Sequence, residues 1–301
     1  MVSTVYRMIS SFKHILVNAI VRASYLYILV SFFVFYSTDA FANIVIERSG
    51  YKSYVAFLKD RDPLTITEFS GSNTPRSVIE LILLQQALHL GGYDKPLKFE
   101  FAPNYARILR HVAQGTYALS GSTAWKHDLE NDAKSYYISQ EIIKSGMFEA
   151  GLYTTFDKAN QLTEEDLPNL TAVSSRFWVA DWRALSQLPL KALYDVPSWS
   201  SMLDMVLSNR IDFLLQPFNG SEDLTVVSKG TRLAPIKNIK LILVGTRHFY
   251  VSKNHPEGEA IYKALEKGLT QLKQQNRIEK AFKQSGFINE KVADWKTLNP
   301  Q

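Results

Sequence analysis

Small hydroxyl-bearing residues and a tryptophan follow a short apolar stretch in residues 116–125, which read TYALSGSTAW. This pattern predicts a buried strand that ends in polar residues with an unobstructed backbone. In α/β domains, ligands bind just beyond the carboxyl ends of the strands. The candidate hydrogen-bonding contacts are therefore Ser120, Gly121, Ser122 and Thr123, with Trp125 as a wall of the site. An ordinary turn between a strand and a loop is the alternative interpretation.

Aromatic rings beside polar or cationic side chains occur at three further predicted strand ends. Rings combined with one cation suit a planar or amphipathic ligand. A predicted helix adds Arg107, which could instead be a solvated surface charge, and Trp178 could instead be part of the core. The candidates at the strand ends are Phe69 and Ser70, then Arg176, Phe177 and Trp178, and finally Gln216, Phe218 and Asn219.

Catalytic and metal-binding patterns are missing from the sequence. The six histidines are scattered, without the HExxH spacing of a zinc site. The chain has no cysteine, and the Ser-Gly-Ser of residues 120–122 does not form the GxSxG turn of a serine hydrolase. We therefore expect no catalytic residue, no bound metal and no cofactor.

Length and composition indicate a globular protein with one large core or two smaller ones. Of the 301 residues, 46% are hydrophobic, and the formal net charge is +5. Arg7, Lys13 and Arg22 against Asp39 account for +2 of that charge, and the remaining lysines and arginines form no run. The charge therefore gives no reason to expect a nucleic-acid partner.

Residues 1–42 have the organisation of an export signal. Basic residues precede the apolar run 25–36, and small residues follow in an A-x-A pattern that predicts cleavage after Ala42. The run is shorter than the roughly 20 residues that span a bilayer. Apolar residues upstream make an uncleaved anchor the alternative, and the true start could be Met1 or Met8. The expected location is the bacterial periplasm.

Strand and helix patterns alternate along the rest of the chain. This order predicts an α/β fold with two βαβ-type units, parallel sheets and right-handed crossovers. The first unit has predicted strands at 43–46, 64–69, 97–101 and from residue 116, with helices between them. The second has strands at 171–174, 190–196 and 211–216, with helices at 180–186 and 202–208. Strands at 239–244 and 249–251 and helices at 257–274 and 277–285 close the chain.

Three segments resemble type II periplasmic solute-binding proteins, of the amino-acid type that serves ABC transporters. They are NYARILRHVAQGTYALSGST at 104–123, MLDMVLSNRIDF at 202–213 and FYVSKNHP at 249–256. Their order and spacing extend the resemblance over the whole chain after residue 42. Within that group, Arg107, Phe177-Trp178 and residues 298–300 resemble a proteobacterial branch.

The resemblance implies two lobes, each a mainly parallel sheet flanked by helices, joined by two hinge crossovers. Such lobes close over a ligand by hinge motion. Lobe 1 would combine residues 43–146 with 246–301, and lobe 2 would span 147–245. The hinges would lie near 145–149 and 244–249.

Two charged residues of the amino-acid binders are absent from the positions where the resemblance places them. No arginine follows the GxT-like segment, because residues 124–128 read AWKHD. The amine-binding aspartate would fall near Pro217, where the next acid is Glu222. A buried carboxylate or ammonium needs a charged partner, so a standard α-amino acid held in the usual way is not expected. The cations that could hold an anionic group instead are Lys126, Arg107 and Arg176.

Together, the residues and the resemblance predict a monomeric periplasmic protein that captures a small polar solute between two lobes. Its expected partner is an ABC-type permease. One alternative is a ligand-sensing input to a membrane receptor. The other is a periplasmic dehydratase-like enzyme on the same fold.

Overall fold

The computed structural model describes residues 42–71, 74–228 and 230–299. The predicted export segment lies outside these residues apart from Ala42, and so does Pro300 of the closing segment. Ala42 is buried in the first strand and pairs with Leu97. Cleavage after Ala42, which stays a prediction, would therefore remove the first residue of that strand. Within the described ranges, no helix is long and apolar enough to cross a membrane.

Strands and helices alternate through most of this part of the chain. The strands are β1 (Ala42–Glu47), β2 (Leu97–Ala102), β3 (Leu119–Ser120), β4 (Ala124–Trp125), β5 (Tyr136–Ile143), β6 (Glu149–Thr155), β7 (Thr171–Ser174), β8 (Ala192–Asp195), β9 (Phe213–Pro217), β10 (Val226–Ser228), β11 (Thr231–Pro235), β12 (Ile239–Ile242), β13 (Arg247–Ser252) and β14 (Lys296–Thr297). The α-helices are α1 (Arg48–Leu58), α2 (Arg76–Leu90), α3 (Tyr105–Ala113), α4 (Lys126–Glu130), α5 (Phe156–Ala159), α6 (Val179–Ser186), α7 (Trp199–Leu207), α8 (Gly258–Gln274) and α9 (Arg277–Gln284). Short 3-10 helices lie at Pro63–Thr65, Glu164–Asn169 and Glu290–Val292.

The strands form two sheets, one in each lobe. In the first sheet, β1 pairs in parallel with β2 and β3, and β13 pairs antiparallel with β3, β4 and β5. In the second sheet, β7 pairs in parallel with β8 and β9, whereas β6 pairs antiparallel with β9, β11 and β12. The predicted two-lobed α/β architecture is confirmed, and both sheets are mixed rather than purely parallel.

The chain passes between the two sheets in two short connections. Residues 144–148 connect β5 to β6, and residues 243–246 connect β12 to β13. The C-terminal segment makes a third connection, because β14 pairs in parallel with β12 of the second sheet. Asn299 reinforces it through hydrogen bonds of 3.0 and 2.9 Å with the backbone of Ile242. The end of the chain thus pairs with the second sheet, although the resemblance implies that 246–301 as a whole belongs to lobe 1.

Helix α2 is the centre of the first lobe. Every residue from Val78 to Leu88 is buried, and the helix packs against α8. The two helices meet at Gly268, where a Cβ atom would overlap the carbonyl oxygen of Ala87. Glycine is therefore required at that crossing, because any side chain would push the two backbones apart. This packing gives the first lobe a rigid base for the N-terminal turn of α2.

The strand predicted at 64–69 is wrong. A 3-10 helix occupies Pro63–Thr65, and the residues after it form no strand. The side chain of Gln86 donates 2.8 Å hydrogen bonds to the carbonyl oxygens of Pro63 and Ile66, so a buried side chain takes the place of a neighbouring strand. The apolar pattern reflects loop side chains inserted into the core, including Phe69. Helix α1, strand β5 and the β10–β11 hairpin were not predicted.

Candidate functional site

A cavity of about 540 Å³ opens where residues of the first lobe face residues of the second. From the first lobe it is lined by the end of β1, the first turns of α1 and α2, and the residues around β4. From the second lobe it is lined by the start of α6 and α7, the end of β9 and the β10–β11 hairpin. Parallel strands point their carboxyl ends at such a crevice, which is where ligands bind in α/β proteins. The volume lies within the roughly 300–1,000 Å³ of small-molecule sites.

Aromatic rings from both lobes form much of the cavity wall. The first lobe contributes Tyr105 and Trp125, the second contributes Trp178, Trp199 and Phe218, and Phe148 lies on the connection between them. The Trp178 and Trp199 ring centroids are 6.3 Å apart, and those of Trp125 and Phe148 are 5.2 Å apart. These rings offer flat apolar surfaces on two sides of a bound molecule.

Among the residues that the structure describes, four charged ones line the cavity, and Arg247 is the most buried of them. Its Nε donates a 2.9 Å hydrogen bond to Thr123 Oγ1, and its Nη2 donates to the Thr123 carbonyl oxygen. The guanidinium carbon lies 4.7 Å from the ring centroid of Trp125. Burial, with the nearby positive charge of Arg76, lowers the Arg247 pKa to about 10. Arg247 is therefore still a cation at neutral pH, held in place by Thr123 and the ring.

Arg76, at the start of α2, forms an ion pair with Glu80 one turn later. Glu80 is fully buried, and its carboxylate also accepts hydrogen bonds from the Thr123 backbone N–H (3.1 Å) and Thr123 Oγ1 (2.6 Å). Thr123 therefore links Glu80 to Arg247. A buried carboxylate is tolerated only with such partners. We call Arg76, Glu80, Thr123 and Arg247 the guanidinium network.

Asp181, in the first turn of α6, faces the cavity from the second lobe. Its side chain accepts no hydrogen bond from another residue of the described chain. Burial raises the Asp181 pKa to about 6, although the positive charges of Arg247 and Arg76 act in the opposite direction. The carboxylate thus faces the guanidinium network without forming an ion pair with it.

Glu47 ends β1 and precedes the first residue of α1. Glu47 lines the cavity, its side chain makes no capping hydrogen bond, and no ion pair with it occurs among the described residues. Burial raises the pKa of Glu47 above its usual range, and no neighbouring charge contributes to that shift. Glu47 is therefore a half-buried acid without a partner.

Six of the sequence-predicted contact residues lie on the cavity wall. In the first lobe they are Ser122 and Trp125, and in the second they are Trp178, Gln216, Phe218 and Asn219. They come together because β4, β9 and the turn before α6 end at the same crevice. Direct contact of these residues with a ligand stays a prediction.

Four other predicted contact residues are buried away from the cavity. Phe69 is fully buried in the core, and Ser120 accepts a 3.1 Å hydrogen bond from the Ser122 backbone N–H. Gly121 lies against the side chains of Ile44 and Leu81. The hydroxyl of Thr123 is engaged by Glu80 and Arg247. The geometry of these residues indicates that they hold the cavity-lining residues in place and do not themselves contact a ligand.

The remaining predicted contact residues are exposed outside the cavity. Ser70 donates to Glu68, and Arg107 is exposed on α3. Arg176 lies 3.7 Å from Asp195, with its guanidinium over the Trp182 ring, and Phe177 is 61% exposed. Lys126, considered as an anion partner, pairs with Glu130. The expectation that these cations hold an anionic ligand is therefore not supported.

The charged residues of the cavity were all missed by sequence reasoning. Glu47 had a usable signal, because it directly follows a predicted buried strand. Arg76 and Asp181 lie in first turns of predicted helices, where charged residues usually face solvent. Arg247 lies in a predicted hinge. Which of these positions share a cavity depends on the packing of two lobes.

Comparison with known proteins supports the fold. No family model matches the chain, and none of the curated proteins matches it. An amino acid ABC transporter substrate-binding protein from Streptococcus pneumoniae, bound to L-arginine, matches with a TM-score of 0.51 and 13% identity over 68% of this chain and 81% of that chain. The periplasmic VFT2 domain of Bordetella pertussis BvgS matches with a TM-score of 0.50 and 12% identity over 85% of this chain and 93% of that chain. The chain has the two-lobed fold of type II periplasmic solute-binding proteins.

Proposed function

We propose that this protein captures a small solute in the cleft between its lobes and presents the closed form to a membrane partner. The cavity between the lobes carries the proposal, because both lobes contribute aromatic and charged side chains to it. Export to the periplasm, predicted from residues 1–42, would bring the protein to such a solute.

Closure follows from the distribution of these contacts. A ligand shifts the lobes towards closure only if it binds the closed arrangement more tightly than the open one. A molecule that contacts Trp125 on one lobe and Trp178 on the other would favour the arrangement in which both contacts are closest. The hinges would be residues 144–148 and 243–246, with the C-terminal segment as a third connection.

The proposed partner of the closed form is an ABC-type permease, and the protein would release its solute unchanged. A ligand-sensing input to a membrane receptor, the alternative predicted from the sequence, is the second candidate. Binding to membranes that contain one partner or the other would distinguish the two roles.

A thermal-shift screen of the purified protein against amino acids, organic acids, amines and small peptides tests solute capture. A ligand at 100 times its dissociation constant adds about 2.7 kcal/mol, which raises the melting temperature by roughly 5–10 °C in a chain of this size. Recovery of the ligand unchanged after incubation would separate binding from turnover. Silence of a folded sample across the whole panel would contradict the proposal.

Trp178→Ala sharpens this test. Loss of a wall of the cleft should weaken ligand binding about tenfold or more, with the fold retained. Trp182→Ala is the matched control, because Trp182 lies one turn later on α6 and faces Arg176 outside the cavity. Calorimetric titration of both variants should show the loss only for Trp178→Ala, and equal losses would remove Trp178 from the site.

A further inference from the structure

The four charged residues of the cleft differ in how completely their charges are compensated. Arg76 is paired with Glu80, and Arg247 is hydrogen-bonded to Thr123 and faces Asp181. The two guanidinium groups thus stand against two carboxylates. That end of the cleft is balanced before any ligand enters.

Glu47 is the charged residue of the cleft whose charge is not compensated. No lysine, arginine or histidine of the described chain pairs with it, and no hydrogen bond to its carboxylate is present. A partly buried carboxylate without a partner is costly, and an opposite charge that arrives with a ligand removes that cost. The cleft therefore favours a molecule that brings one positive charge.

The cavity wall combines small residues near Glu47 with apolar surface on the second lobe. Ser49, Gly50 and Ser53 of α1 follow Glu47 in sequence and also line the cavity, which leaves room for a ligand there, and the β10–β11 hairpin contributes Val227, which is 58% exposed. The aromatic residues of the cleft complete the wall. Aromatic faces attract organic cations as well as apolar groups.

A carboxylate on the ligand would meet an unfavourable charge environment in this cleft. Arg76 is paired with Glu80, Arg247 donates to Thr123, and the Asp181 carboxylate faces both, so an added carboxylate would be repelled by two that are already present. The buried Arg76 Nε, which has no partner among the described residues, is a donor that a neutral acceptor can equally use. A zwitterion has no net charge, so its binding would leave the net charge of the cleft as negative as before. The charge balance thus favours a cation over a zwitterion or an anion.

We propose that the solute is an organic monocation, an amine with an apolar or aromatic body and no carboxylate, whose ammonium group pairs with Glu47. This inference rests on the proposed capture function. The sequence led us to expect an anionic ligand, held by Arg107 or Arg176. We now infer a cationic one, because those two arginines lie outside the cleft.

Matched pairs of an amine and its parent amino acid test the proposal. Calorimetric titration of the purified protein would compare tyramine with tyrosine, phenethylamine with phenylalanine and tryptamine with tryptophan, with choline and an organic-acid set added. The expected result is that at least one amine or choline binds, and that a binding amine is at least tenfold tighter than its parent amino acid. The same titrations with Glu47→Gln should lose tenfold or more of the amine affinity.

Glu165→Gln is the matched control, because Glu165 is an exposed acid outside the cleft. The affinity of this variant for the amine should stay within about twofold of that of the parent protein. Glu47→Asp, which keeps the charge on a shorter side chain, should retain more of the affinity than Glu47→Gln. Melting curves of each variant confirm that a folded protein was titrated.

Each other outcome overturns a different statement. Amino or organic acids that bind as tightly as the amines, or more tightly, would overturn the cation proposal while solute capture stands. Full amine affinity in Glu47→Gln would remove Glu47 from the site. Silence of a folded protein towards every compound, including the wider solute panel, would overturn solute capture itself.

Discussion

The guanidinium network and Glu47 lie on the same wall of the first lobe, yet they differ in every interaction that stabilises a buried charge. Glu80 is fully buried and accepts hydrogen bonds from Arg76 and from Thr123. Glu47 is half-buried and accepts none in the described structure. A carboxylate with several partners belongs to the folded state, whereas one without partners is available to a ligand. The difference separates a structural acid from a candidate recognition acid within one cleft.

The largest expected effect is on the structural side of this comparison. Glu80→Gln should destabilise the protein by about 3 kcal/mol, because it leaves Arg76 and Arg247 without the carboxylate that compensates them. Glu130→Gln is the matched control. This variant breaks another i,i+4 ion pair, between Lys126 and Glu130. Both side chains of that pair are about half exposed, so the expected loss of stability is below about 0.5 kcal/mol. Urea unfolding of the two variants measures the contrast, and equal losses would show that the network is not structural.

Asp181→Asn should have the next largest effect, with the opposite sign. The pKa of Asp181 rises to about 6 in the folded protein, so the folded state binds a proton more tightly than the unfolded state does. This group therefore costs no stability below the unfolded pKa near 4, and its cost grows as pH rises towards 6 and is complete above it.

The asparagine variant should thus be more stable than the parent protein at pH 7.5, by on the order of 1–2 kcal/mol. The difference should shrink towards pH 4. Melting curves at several pH values measure it. A variant that is less stable at pH 7.5 would show that Asp181 compensates the guanidinium groups more strongly than burial penalises it.

The smallest expected effect is that of Glu47→Gln on the ligand-free protein. Since Glu47 has no partner to lose, the free energy of unfolding should stay within about 0.5 kcal/mol of the parent value or rise slightly. The same urea experiment applied to Glu80→Gln and Glu47→Gln gives the comparison directly. A loss for Glu47→Gln as large as that for Glu80→Gln would contradict the division into a structural and a recognition acid.

Local sequence signals predicted elements well where one signal dominated. The strand predicted at 171–174 coincides with β7, and the predicted helix that carries Arg107 corresponds to α3, with the side chain of Asn104 capping it through a 3.0 Å hydrogen bond. Gly115 ends that helix region with a positive φ of 76°, which glycine adopts without strain. The strand predicted at 64–69 failed because its backbone partners are supplied by Gln86, a residue far along the chain.

In the sequence, local periodicity and turn residues predict most of the strands and helices and place aromatic residues beside several strand ends, and the resemblance to type II periplasmic solute-binding proteins implies the two lobes. Which charges share the cleft depends on the packing of the folded chain, because Glu47, Arg76, Asp181 and Arg247 come from distant segments and two lobes. This packing also decided their roles, since a charge is structural or available according to the partners that packing places beside it. Glu80 and Glu47 look equally ordinary in the sequence, and burial with hydrogen bonding in one case and isolation in the other makes them different.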